Sequence, residues 1–170
     1  MTTPRIYVGT YAKYNSGSLE GKWLGLEDYS GIDEFEEACQ ELHGDGEHEF
    51  MYQDWEGIPS QFISESHLDP EVWDAWVNLD QDDKNILEAY LDSIDSSGTL
   101  DAAKQAFLGK FGSEEDWSQD YWESSGVLSG IPENLRYYID HAAYARDCRM
   151  SGDVTFVEKS GMVFVFSNNG

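Results

Sequence analysis

The chain has 170 residues, enough for one ordinary domain or a few small ones, each with a modest core. Its 40% hydrophobic content, with six Trp, ten Tyr and eight Phe, excludes a disordered acidic tail, which would be poor in aromatics. A formal charge of −24 sets it against nucleic acid and anionic lipid surfaces as ligands and points to basic partners.

In chain order, residues 5–11 (RIYVGTY) and 19–26 (LEGKWLGL) are rich in β-branched and aromatic residues and flank the turn-forming NSGS, which predicts two strands. Asp33 is expected to cap a helix, IDEFEEACQELHG, with Phe35, Ala38, Cys39 and Leu42 at helical spacing and Gly44 as its stop. Residues 48–55 then return as a strand, closing a β-β-α-β unit over 1–62.

Residues 63–110 read as a middle helical unit. Asp69 is expected to cap PEVWDAWVNL with Pro70 at the first helical position, residues 81–94 carry apolar positions at 86, 87, 90, 91 and 94, and 99–108 form a third helix ending at Gly109. A C-terminal α/β unit covers 111–170. Ser113 and Asp116 stand in capping-box register, and Pro132 opens a helix over 132–148 with a stripe at 135, 138, 139, 142 and 145. The hairpin DVTFVEKSGMVFVF turns at 159–161. The fold class expected is α+β, an elongated chain of three small units that lean on one another or on a second copy.

No apolar run approaches the roughly 18 to 20 residues of a bilayer span, and the N-terminus lacks a basic region followed by an apolar one, so the expected location is the cytoplasm, away from membranes. Cys39 and Cys148 lie far apart without CxxC spacing and are read as two buried free thiols in preference to a long-range disulfide. His43, His48, His67 and His141 make neither HExxH nor a zinc set, and no phosphate-binding glycine loop or GxSxG is present. Residues 93–104 place Asp95, Ser97, Gly98 and Asp101 at calcium-loop positions, but Ser93 and Lys104 occupy the two positions that most need carboxylates, so the segment is expected to end one helix and cap the next. With 34 acids, carboxylate pairs arise by chance and identify no acid/base site. No catalysis, no metal and no cofactor are expected.

The charge is unevenly placed. Residues 33–57 hold ten Asp and Glu, and there is no Lys or Arg between Trp23 and Asp83, whereas Arg136, Arg146 and Arg149 fall late in the chain. A salt-adapted protein would spread its acids over every surface. Duplex DNA carries one charge per roughly 1.7 Å, so 24 charges match about 40 Å of duplex, close to the diameter of about 40 Å of a compact chain of this length. Carboxylates held on rigid elements would fill a basic groove as phosphates do.

Two stretches turn this into a named expectation. Residues 5–28, containing KYNSGSLEGKW, and 126–153, containing YIDHAAYARD, closely resemble the antirestriction protein ArdA family, and the resemblance extends over nearly the whole chain with the middle least distinctive. It implies an elongated homodimer, joined through its third unit, that mimics bent DNA. Such a protein occupies the DNA groove of the specificity and methyltransferase subunits of type I restriction-modification enzymes, blocking restriction and modification. It would protect a plasmid or other mobile genetic element in a bacterial host. By position, Tyr137, Tyr138, Ile139 and Tyr144 become dimer-contact candidates. For the mimic surface, charge and expected exposure select Glu34, Glu36, Glu37, Glu41, Glu47, Glu49, Asp54 and Glu56 in the first unit. Asp74, Asp82, Asp83 and Glu88 are selected in the second, and Glu114, Glu115, Asp116, Asp120 and Glu123 in the third. The competing expectation is an acidic chaperone or regulator of another basic DNA-binding protein.

Overall fold

The structure is a computed structural model that describes residues 2–168; Met1, Asn169 and Gly170, at the ends of the first and last expected units, lie outside the described residues. The fold is α+β with two small antiparallel sheets, and the chain divides into two compact units, Met1–Gln81 and Asp82–Gly170. The stretch read as a middle helical unit is shared between them.

In the first unit β1 (Arg5–Thr10) lies between β2 (Lys22–Gly25) and β3 (Phe50–Glu56), in the order β2-β1-β3. Both strands expected at 5–11 and 19–26 are shorter than predicted. Thr10 ends β1 by capping a short helix, α1 (Tyr11–Asn15), its hydroxyl accepting from the Lys13 N–H at 3.2 Å. Past Gly25 the chain tightens into a 3-10 turn over Leu26–Asp28.

The acidic helix α2 (Ile32–His43) follows from the predicted spacing: Phe35 and Cys39, four residues apart, are fully buried while Asp33, Glu34, Glu36, Glu37 and Glu41 face solvent. Phe35 packs against Tyr29, Tyr52 and Trp73, and full burial of such a ring stabilises by about 2–3 kcal/mol. Burial beside Glu36 pushes the Cys39 thiol up to about 12, the behaviour of an inert core residue. Asp33 does not cap this helix. Gly31 occupies the cap, and Asp33 sits in the first turn, where its charge opposes the helix dipole favourably.

The helix expected at 70–79 is a single π-helical turn, Trp73–Val77. Val72, not Asp69, stands at its cap and makes no side-chain bond there; Asp69 Oδ1 accepts from the Glu71 N–H at 2.9 Å just ahead of it, and the Trp73 and Trp76 indoles donate to the carbonyls of Leu26 and Gly57 at 3.0 and 2.8 Å. Those two bonds satisfy the buried indole N–H groups and seat the rings in the core.

In the second unit the order is α3 (Gln81–Ser93), α4 (Leu100–Ala106), β4 (Phe107–Phe111), α5 (Glu114–Ser124), α6 (Glu133–Arg136), α7 (His141–Ser151), β5 (Val154–Lys159) and β6 (Met162–Ser167). Residues 107–108, expected to finish a helix, instead open β4, which pairs with β6 in a β4-β6-β5 sheet. The central strand β6 alternates: Phe164 and Phe166 pack with Ala89 and Ala106, while Val163 and Val165 pack with Trp117, Ala145 and Val154. Helices therefore cover both faces. The hairpin turns at Ser160 and Gly161, both with positive φ, the geometry that matches strand twist in a two-residue loop.

The long helix expected at 132–148 is broken. Asp140 leaves helical geometry and its carboxylate accepts from the Ala143 N–H at 3.0 Å, so α7 starts afresh there. Arg136 closes the short α6 by donating to the carbonyls of Leu128 and Ile131 at 2.8 and 3.1 Å. The single stripe is thus broken up, with Leu135 on α6, Tyr138 and Ile139 in the connection, and Ala142 and Ala145 on α7.

Candidate acidic interaction surface

The first unit carries 18 acidic and three basic residues, a formal charge of −15, and the second 16 and seven, a charge of −9. On α2 five carboxylates occupy about 12 Å of helix axis. That is roughly one per 2.5 Å, between the 3.4 Å of one DNA strand and the 1.7 Å of the duplex.

Local contacts stiffen this surface. Glu34 folds back so that Oε2 accepts from the Ser30 N–H at 3.0 Å, and that bond holds its carboxyl below the usual range. Beyond α2, the Gln40 amide donates to the carbonyls of Gly44 and Gly46 at 2.7 and 2.8 Å, fixing the turn that bears Asp45, Glu47 and Glu49. In β3, Asp54 Oδ1 accepts from the Trp55 N–H at 2.8 Å.

Of the seventeen carboxylates selected from sequence, thirteen are exposed: Glu34, Glu36, Glu37, Glu41, Glu47, Glu49, Asp54, Asp74, Asp82, Glu115, Asp116, Asp120 and Glu123. Glu56, Asp83, Glu88 and Glu114 are half-buried, and each meets a base of its own unit. Arg5 reaches Glu56 at 2.7 Å, Lys104 reaches Asp83 at 3.1 Å, Lys159 reaches Glu88 at 2.6 Å and Arg149 reaches Glu114 at 2.8 Å. Arg5 also stacks on Trp23, 4.4 Å from the ring centroid. In these four acids the charge is balanced by a base of the same unit. Asp33, Asp45, Glu71, Asp92 and Asp101 are exposed as well, Asp33 on the solvent face that the helical spacing of Phe35 and Cys39 defines.

The calcium-like loop closes on itself. Asp95 Oδ1 accepts from the N–H and hydroxyl of Ser97 at 3.0 and 2.8 Å, and Thr99 caps α4. Among the described residues no three His, Cys, Asp or Glu side chains are grouped to hold a metal, and no helix is long and apolar enough to cross a membrane. Cys39 is buried and Cys148 half-buried, both as free thiols.

Tyr137 and Tyr138 stand at the surface, 89% and 77% exposed, with Leu135 at 49% and Val127 at 42% nearby in the chain. Ile139 is half-buried. Tyr144 faces inward, stacked on Trp117 and Tyr121 and edge-on to Trp122; burial raises its pKa, and Cys148 adds to the effect. The break at Asp140 is what separates the exposed tyrosines from the packed one.

The family model described as antirestriction protein (ArdA) matches residues 6–163, reaching from β1 through α2 and the exposed tyrosines to the start of β6. No curated protein matches the chain. Because the family match covers nearly the whole chain, the protein belongs to the ArdA antirestriction family.

Proposed function

We propose that this protein acts by presenting carboxylates in place of DNA phosphates, occupying the DNA groove formed by the specificity and methyltransferase subunits of a type I restriction-modification enzyme. The observation that carries this reading is the uncompensated acidic surface of the first unit, where Glu34, Glu36, Glu37, Glu41, Glu47, Glu49 and Asp54 are all exposed along one continuous stretch. No base lies between Trp23 and Asp83 in the sequence. A basic groove gains free energy when its lysines and arginines meet such a surface and release counterions, as they do on phosphates.

The protein performs no chemistry in this account; it excludes DNA by competition. It functions in the bacterial cytoplasm on behalf of incoming DNA such as a plasmid, and it binds no nucleic acid itself. Two copies meet through the segment at 127–138, where Val127, Leu135, Tyr137 and Tyr138 are exposed and the two tyrosine rings stand farthest into solvent. Family membership favours a restriction enzyme as the target over other basic DNA-binding proteins.

The test is a restriction assay with purified type I enzyme across a salt series. Inhibition should weaken steeply as salt rises. Salt-independent inhibition, or tighter binding to a nucleoid protein than to the restriction enzyme, would overturn the proposal.

A further inference from the structure

Three segments of the first unit meet at the C-terminal end of α2. His43, its last residue, places Nε2 3.1 Å from the Val8 carbonyl of β1 and Nδ1 3.0 Å from the Lys13 ammonium of α1. Lys13 also pairs with Glu20 at 3.2 Å and is itself only 28% exposed. A carbonyl only accepts and an ammonium only donates, so one state of the ring satisfies both contacts: neutral, with its hydrogen on Nε2.

A proton added at Nδ1 removes the acceptor for Lys13 and sets two cations 3.0 Å apart. The other groups facing the ring do not reverse this. His48, from the α2–β3 connection, lies 6.1 Å away and is a second potential cation; Phe50 of β3, at 6.2 Å, carries no charge; Glu20 is engaged through Lys13. Burial lowers the His43 pKa, Lys13 and His48 lower it further, and the Val8 carbonyl and Glu20 act in the opposite direction.

The same end of α2 carries the acidic turn. Gly44 accepts from the side chains of Gln40 and His48, the Gly44 N–H donates to Gln40 O at 3.0 Å, and the Tyr11 N–H donates to Glu49 O at 3.1 Å. Between those bonds lie the exposed Asp45, Glu47 and Glu49.

We propose that His43 is a positioning residue for the acidic surface: its neutral form clasps α2 to α1 and β1 and fixes the turn at 44–49, and its protonation releases that turn. The functional half of the proposal rests on the carboxylate-for-phosphate reading; the clasp itself does not. With a folded pKa below the ordinary 6.5, the clasp is closed at neutral pH, its stabilising contribution begins to fall below 6.5, and it is lost as pH drops through the folded value.

The full chain tests this by NMR. Histidine nitrogen shifts should report the Nε2–H tautomer of His43 at pH 7.5. Amide exchange at Tyr11 and Gly44, corrected for intrinsic rates, should accelerate about tenfold or more as His43 titrates. H43R, a permanent cation, should show that faster exchange already at pH 7.5, while H43Q, which can both donate and accept, should restore slow exchange with no pH step. The Nδ1–H tautomer, exchange that ignores the titration, or an H43R variant as protected as wild type would each overturn the clasp; the wild-type titration decides even if H43R does not fold. In DNA displacement from a type I methyltransferase, H43R should be weaker by about threefold or more at pH 7.5, with H43Q rescuing. An open turn with unchanged displacement would overturn the positioning role, whereas failure of the wild type to displace DNA would defeat the competition account and leave the clasp to the NMR result.

Discussion

Replacing three α2 carboxylates, Glu36, Glu37 and Glu41, by Gln removes three of the five charges on that helix without touching the Glu34–Ser30 bond. Exposed charge pairs are worth about 0.2–1 kcal/mol each, so three lost contacts with a basic groove cost about 0.6–3 kcal/mol. That corresponds to roughly a 3- to 150-fold loss of affinity. If each carboxylate releases counterions as a phosphate does, the salt slope falls by up to about 2.7. Stability should hold or rise, because Glu37 and Glu41 repel each other at helical i, i+4 spacing. The assay is anisotropy competition against labelled duplex on a methyltransferase core at several salt concentrations, with thermal unfolding as the folding control. A second triple, D92N/D101N/E158Q, makes the same change in net charge on exposed residues of the other unit. Wild-type affinity and salt slope in the α2 triple, or equal losses in both triples, would refute the argument that the α2 carboxylates act as placed contacts.

Other outcomes follow from the same structure. D140A removes the α7 cap and should cost about 1 kcal/mol in urea unfolding; a stability unchanged from wild type would mean the break at Asp140 is not held by its side chain. Changing Tyr137 and Tyr138 to Ser should shift the chain toward monomer in sedimentation while leaving its far-ultraviolet dichroism unchanged, because neither ring is part of the core. Glu34 should titrate below an ordinary glutamate by carboxyl NMR. Its contribution to stability is then present above the unfolded pKa and lost as pH falls through the lowered folded one, and replacing Glu34 by Gln should remove that step.

Local pattern made part of this fold legible. The period of Phe35, Cys39 and their neighbours specified α2, the 81–94 spacing specified α3, and the turn chemistry at Ser160 and Gly161 specified the hairpin. The stripe at 132–148 misled because Asp140 reads equally well as a surface residue or as a cap, and only its bond to the Ala143 N–H decides. β4 has too few residues to show a period, and its identity comes from pairing with β6, more than fifty residues later. The same non-locality hid the pairing of Glu56, Glu88 and Glu114, whose bases lie 51, 71 and 35 residues away. Exposure of the remaining thirteen selected acids was legible because carboxylates stay in solvent unless a cation accompanies them inward.

The most direct test of competition is displacement of DNA at known stoichiometry. Purified protein is titrated into a preformed complex of a type I methyltransferase core and labelled duplex, at low and at moderate salt. DNA should leave the enzyme as the inhibitor approaches one dimer per enzyme at low salt, with a larger excess needed at moderate salt. A ternary complex in which inhibitor and DNA remain bound together at large excess would contradict it.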